Sequence, residues 1–268
     1  MQKFFEIYGS DMGEKRQYEN QGTEINIETN KSESVQHVFL VGAKSLGAYG
    51  GYETFVYKLT EHHQNNQQIK YHVACKANGD GCMDETKLDG MTRISDSEFE
   101  FHNVTCFKIK VPQIGSAQAI YYDVAALLKC IKYIEEHTIQ HPIVYIMACR
   151  IGVFARYFYK EIHRLGGSVF LNPDGHEWMR AKWSQPVRKY WKFSEEMMVK
   201  YCDLVICDSV NIEKYIRACY DGKGIRGKSL KTSFIAYGSD LVLSKLADDD
   251  ARLIGWYEEK KLEKKKYY

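Results

Sequence analysis

Proline is scarce in this chain. Four prolines in 268 residues exclude a long Pro-rich linker. No two cysteines have CxxC spacing, which argues against a zinc site or a thioredoxin-like motif. The opening residues, MQKFFEIYGSDMGEKRQYEN, contain no apolar stretch of signal-peptide length. Nowhere do about 18 apolar residues run together, as a membrane-spanning helix requires. The expected location is therefore the cytoplasm. An excess of one charge is also missing. Against 35 Asp and Glu stand 37 Lys and Arg, a net charge of +2. Bulk electrostatics then do not point to nucleic acid, and anion binding must come from local clusters.

Eight cysteines are present, at 75, 82, 106, 130, 149, 202, 207 and 219. Several lie inside apolar runs such as VYIMAC and LVICD, and reduced, buried thiols are expected. Neither the cysteines nor His163 and His176 have the spacing of metal ligands, so no metal is expected. Twenty tyrosines suit large amphipathic contact surfaces.

Residues 1–34 are polar and without period, and are expected to form a disordered extension. From Val38 onward, short apolar runs alternate with helical patterns. Strands are expected at 37–42, 70–75, 104–110, 143–148, 168–172, 204–208 and 232–236. Helices are expected at 54–64, 118–137, 152–165, 186–201 and 211–219, with a tail helix from about Ser244. Residues 77–100 read as loop with short pieces. The alternation predicts an α/β fold, a doubly wound, mostly parallel seven-stranded sheet with a Rossmann-like arrangement. The expected division is an extension over 1–34, a Rossmann-like domain over 35–240 and a helical linker over 241–268.

In such sheets the ligand lies at the carboxyl ends of the strands, so the segments that follow strands carry the functional candidates. After the first strand comes VGAKSLGAYGGYETFVYKL. Its Gly47, Gly50 and Gly51 permit close approach of a ligand to the backbone, and the following helix points its amides at that loop. Lys44, Tyr52 and Glu53 stand beside the glycines. A plain tight turn would also need glycine there. The loop fits neither GxGxxG nor the Walker pattern, and the second strand ends in Cys75 and Lys76, not in the acid of a dinucleotide site.

After the fifth strand comes NPDGHEWMRAKWSQPVRKYWKFSEEMM. Asp174, His176 and Glu177 present three ionisable groups, which could take a proton from a hydroxyl or stabilise an oxocarbenium-like centre. Capping by Asp174 and a surface histidine would explain them equally. Arg180, Lys182, Arg188, Lys189 and Lys192 then alternate with Trp178, Trp183, Tyr190 and Trp191. That surface suits a membrane interface or a diphosphate-bearing lipid, or else a solvated helix with core tryptophans. Two later turns bring Asp208 with Ser209, a good helix N-cap, and Gly238 with Ser239 and Asp240.

VGAKSLGAYGGYETFVYKL, NPDGHEWMRAKWS…VRKYWKFSE, DLVICDSVNIEKYI and FIAYGSD together resemble the N-terminal domain of bacterial β1-4 rhamnosyltransferase-like glycosyltransferases. These are retaining enzymes of the two-domain GT-B type, active in capsule and exopolysaccharide assembly. The resemblance spans roughly residues 36–260. It implies a sugar-nucleotide donor, dTDP-rhamnose, and a saccharide acceptor on undecaprenyl diphosphate at the inner face of the cell membrane, with no cofactor. It places Gly50, Gly51, Glu53, Asp174, Gly175, Glu177, Arg180 and Lys182 in an interdomain cleft. The second, donor-binding domain of that type is not in the chain. A separately encoded partner domain, or an inactive isolated half that binds only acceptor, is therefore expected as an alternative. A dinucleotide oxidoreductase is disfavoured by Lys76.

Overall fold

The structure is a computed structural model that describes residues 35–47, 50–222, 229–238 and 245–263. The extension expected over 1–34 lies outside the described residues, as do Ser239 and Asp240. Two compact units divide the chain, residues 1–236 and 237–268.

The first unit is an α/β layer structure, as its alternating pattern predicts. Nine strands form one sheet: β1 (Gln36–Val41), β2 (Ile69–Lys76), β3 (Thr92–Arg93), β4 (Glu98–Phe101), β5 (Val104–Ile109), β6 (Ile143–Met147), β7 (Ser168–Asn172), β8 (Leu204–Cys207) and β9 (Thr232–Phe234). Their order is β3-β4-β5-β2-β1-β6-β7-β8-β9. All seven expected strands are present and pair in parallel. The count of seven is corrected to nine by β3 and β4, which pair antiparallel beside β5 within the stretch read as loop. The reason lies in EFEF at 98–101, whose period of two buries Phe99 and Phe101 while Glu98 and Glu100 stay at the rim.

Among the described residues of this unit there are five α-helices: α1 (Gly51–His62), α2 (Gln118–Glu136), α3 (Gly152–Arg164), α4 (Gln185–Tyr201) and α5 (Val210–Tyr220). Strands buried on both faces need cover on both. Val56 of α1 packs with Val38 and Leu40 on one face. On the other, α2 to α5 set Leu127, Phe158, Met198 and Ile216 against Phe39, Val144 and Val205. The eight cysteines are free thiols, five of them buried. Among the described residues no helix is long and apolar enough to cross a membrane.

Sheet order reverses between β1 and β6. The chain leaves β1 toward β2 and returns through α2 to β6 on the other side. In open α/β sheets such a switch point is where a ligand crevice is expected, beyond the carboxyl ends of the two strands.

The unit 237–268 holds α6 (Ala251–Glu259). It starts later than the Ser244 expected, because the Asp250 carboxylate accepts the backbone N–H of Arg252 and caps the helix there.

At the opposite end of the sheet from the crevice, His72 lies buried under Phe39, with ring centroids 4.3 Å apart. Its Nε2 pairs with His37 Nδ1 at 2.9 Å. Burial holds the His72 imidazole well below the usual histidine range, helped by His37, Lys70 and His137. The folded chain thus refuses a proton that the unfolded chain accepts below about pH 6.5. Stability is expected to be full above that pH and to fall as pH drops from about 6.5 toward 5, by up to about 1.4 kcal/mol per pH unit for this group. Urea unfolding at pH 7 and pH 5 measures the loss. A His72→Phe variant should lose less stability than the parent over that interval; equal losses would acquit His72.

Candidate functional site

The loop after β1 turns on Gly42. A Cβ at Gly42 would sit 2.3 Å from the carbonyl oxygen of Met147, so the ends of β1 and β6 approach as closely as the missing side chain allows. Tyr122 of α2 anchors the same edge, its hydroxyl lying 2.6 Å from Ala43 O and 2.7 Å from Ala74 O. Further along the loop, Glu53 is buried in the first turn of α1, and its Oε1 accepts the Lys44 N–H at 2.9 Å. A Cβ at Gly50 would lie 2.0 Å from Glu53 Oε2, so glycine is required there for the carboxylate to lie against the loop. Glu53 therefore clamps the glycine loop on itself. Its neighbour Tyr52 is half-buried, and Gly51 is exposed. Gly47 is exposed beside the ring of Tyr57, and the Lys44 ammonium points to Asp80 at 3.3 Å. Lys76, at the end of β2, donates to Asp80 O at 2.7 Å. The strand itself ends in Lys76, not in an acid.

Across the switch point, β6 runs into Arg150, a residue that spacing and composition do not single out. Its Nη1 donates to Gly42 O at 3.2 Å and to both oxygens of Asp123 at 3.1 and 3.2 Å. Asp123 sits on the buried stripe of α2 with no side-chain exposure, while Arg150 keeps 19%. Burial opposes the charge on Arg150, but Asp123, Tyr52 and Asp174 outweigh it and raise the guanidinium above its ordinary value. Burial also pushes the Asp123 carboxyl up, against the pull of Arg150. All three hydrogen bonds of the guanidinium within the described residues leave from Nη1, which keeps Nε and Nη2 for a ligand.

The bend after β7 supplies Asp174 with φ 61°, a left-handed conformation that Asp tolerates because its amide is tied to Asn172 Oδ1 at 2.8 Å. Asp208 follows β8 and is half-buried. Burial, then the negative charge of Asp174, raises its carboxyl above the usual carboxylate range. Arg150, Asp174 and Asp208 thus follow three neighbouring strands, and Arg150 hydrogen-bonds the glycine loop. Ser209 is spent otherwise: its hydroxyl accepts the Asn211 N–H at 3.2 Å and caps α5.

The start of α3 is closed to anions. Ser194 and Met198 of α4 take the Gly152 and Ile151 amides, at 2.7 Å to oxygen and 3.3 Å to sulfur. Tyr190 of α4 donates to Arg150 O at 2.7 Å. Ser194 lies past the middle of α4 yet meets the beginning of α3. These bonds pin α4 to the segment that follows β6.

Glu177 is engaged by its own segment, through Arg180 at 2.7 Å, Trp183 Nε1 at 2.8 Å and Lys182 at 3.3 Å. Burial pushes its carboxyl up, but these donors prevail and hold it below the usual range. His176 rests on Tyr215, ring centroids 4.0 Å apart. Among the described residues neither of its nitrogens has a hydrogen-bond partner. The basic and aromatic stretch is not one surface. Lys192 turns inward and bonds Glu195, Tyr215 and Tyr220, because a buried carboxylate on its own helix demands a counter-charge. Lys182 and Lys189 stay exposed, as do Met179 at 59% and Phe193 at 46%. Gly238 falls in the second unit. Among the described residues no group of three or more His, Cys, Asp or Glu could hold a metal ion.

Residues 35–240 match the family described as Domain of unknown function (DUF1972). No curated protein matches the chain in sequence. Similar solved structures include an alpha,alpha-trehalose 6-phosphate synthase from Burkholderia multivorans, at 10% identity and TM-score 0.43 over 76% of this chain and 48% of that one. A trehalose-6-phosphate structure from E. coli bound with UDP-2-fluoro glucose has 10% identity and TM-score 0.45, over 83% and 55%. Arabidopsis thaliana UGT89C1 has 11% identity and TM-score 0.42, over 84% and 55%. The chain spans about half the length of each of the three.

Proposed function

The chain belongs to the DUF1972 family, and on that footing we propose that it is the acceptor-side half of a GT-B glycosyltransferase. The observation that carries this reading is the union, through Arg150, of the glycine loop with the acid-bearing ends of β7 and β8. A saccharide offers many hydroxyls and little charge. Asp174 and Asp208 can accept hydrogen bonds from them, and Arg150 can donate. His176, with both nitrogens unengaged by the described residues, takes the proton of the attacking hydroxyl. Glu53 and Glu177 serve by holding the glycine loop and the Arg180–Lys182 segment in place.

The donor in this reading is a nucleotide sugar, dTDP-rhamnose, held mainly by a second domain and closed over the glycine loop to exclude water. The acceptor is a saccharide on undecaprenyl diphosphate. Exposed Met179 and Phe193, with Lys182 and Lys189 in the same stretches, suit a lipid diphosphate at the cytoplasmic face of a membrane. No metal or organic cofactor enters the reaction.

Calorimetric titration with farnesyl diphosphate-linked glucose and with dTDP-rhamnose tests this. The lipid-linked sugar should bind the isolated chain, and dTDP-rhamnose should bind much more weakly. Asp174→Gly should weaken lipid-linked sugar binding at least about tenfold, some 1.4 kcal/mol. Its stability should hold or rise by up to about 1 kcal/mol, since glycine relieves the left-handed backbone. Unchanged affinity in that variant, or binding of neither sugar, would remove the proposal.

A further inference from the structure

Beneath His176 lies an arrangement that acceptor binding does not itself require. Trp178, Tyr215 and Tyr220 surround the Lys192 ammonium, each ring centroid 4.9 Å from Nζ. The ammonium donates to Glu195 Oε1 at 3.0 Å, to Tyr215 Oη at 2.5 Å and to Tyr220 Oη at 2.7 Å, which uses its three protons. Both tyrosine hydroxyls donate to the same oxygen of Glu195, which is buried. Tyr215 Oη also accepts the indole N–H of Trp178 at 3.1 Å. Glu195 Oε1 thus accepts from three donors, Lys192, Tyr215 and Tyr220, which share its two lone pairs. The network joins α4, α5 and the turn that carries His176 and Trp178. It is charge-balanced and built around the buried Glu195 carboxylate, and such mutually satisfied networks rigidify their members.

Among the described residues His176 has no hydrogen bond of its own to fix its ring. It has the ring of Tyr215, centroids 4.0 Å apart and planes tilted by 54°. The orientation of Tyr215 is in turn set by Lys192, Glu195 and Trp178. We propose that Lys192 is a positioning residue for His176. It locks Tyr215 as the platform on which the imidazole lies, so that the ring is aimed without spending either nitrogen. A histidine held by hydrogen bonds would have one nitrogen occupied; a ring held by a tilted aromatic contact keeps both for substrate. This inference rests on the reading of His176 as the group that handles the acceptor proton.

The test is NMR of the His176 ring protons in the full chain, assigned by their disappearance in His176→Gln. A ring packed 4.0 Å from a tyrosine ring carries a ring-current displacement. Lys192→Met and Tyr215→Phe should each shrink that displacement by at least about half, and the double variant should add little to either single, as members of one network do. Lys192→Arg, which keeps donors and charge, should restore most of it. Tyr220→Phe, which leaves Tyr215 tied, should leave it unchanged. Tyr215→Phe retains the ring and the packing and keeps the test open where Lys192→Met does not fold. Unmoved His176 signals in Tyr215→Phe would overturn the proposal, as would fully additive effects. Titration of the same variants with farnesyl diphosphate-linked glucose separates the two readings. A collapsed ring-current displacement with unaltered sugar affinity retains Lys192 as the positioner of His176 and rejects the acceptor role of His176.

Discussion

Arg150→Met should cost about 3–5 kcal/mol of folding stability, the range for breaking a buried ion pair by removing one partner. The loss arises because Asp123 has no exposure of its own and, without Arg150, no counter-charge. The carboxyl must then be buried as an anion or take up a proton. A buried carboxyl with its folded value raised is stable as the acid, so the sign follows. The variant should be least destabilised below the ordinary carboxyl value of about 4 and should lose stability as pH rises above it. Asp123→Asn should be milder, because the partly exposed guanidinium can turn toward water while the amide keeps a hydrogen-bond acceptor. Urea denaturation of both variants at pH 5 and pH 8 measures the asymmetry. A larger loss in Asp123→Asn, or an Arg150→Met variant that is steadier at pH 8, would show that the pair does not bear on the fold as described. The same substitution should weaken saccharide binding, since Nε and Nη2 go with Nη1.

Gly42→Ala should destabilise by about 3 kcal/mol or more, combining a strained backbone with overpacking. The φ of 119° suits glycine, and the added methyl would meet the Met147 carbonyl oxygen at 2.3 Å. That neighbour is backbone inside β6, so relief requires the ends of β1 and β6 to part. Parting them also strains the bond from Arg150 Nη1 to Gly42 O. Thermal and urea unfolding would measure the loss. A penalty below about 1 kcal/mol would mean that the switch point is looser than its geometry indicates.

The interior strands were legible because each is a short apolar run buried on both faces, as in HVFLV and IVYIM. The edge was not. In β4 only alternate residues are buried, and β3 spans two exposed residues whose partner is visible only once the chain has folded. In the site, the residue types after each strand could be read, but not which of them neutralise one another. Glu177 and Lys192 look alike as exposed charges in sequence, yet each is satisfied by residues three to six places away or from another helix. Arg150 went unread because a single arginine after a strand has no period. The available signal was Asp123, a carboxylate among Tyr122, Ala126, Leu127 and Cys130 on a stripe that must be buried. Such a position predicts a cationic partner without saying which.

The sheet ends in a strand of two residues on one border and a strand of three on the other. Neither offers a row of unpaired amides and carbonyls long enough to seed the addition of a foreign strand. A nine-stranded slab of valine, isoleucine and phenylalanine would otherwise be a template for fibril growth. Brevity at its borders limits the templating by which so apolar a centre could propagate from one molecule to the next.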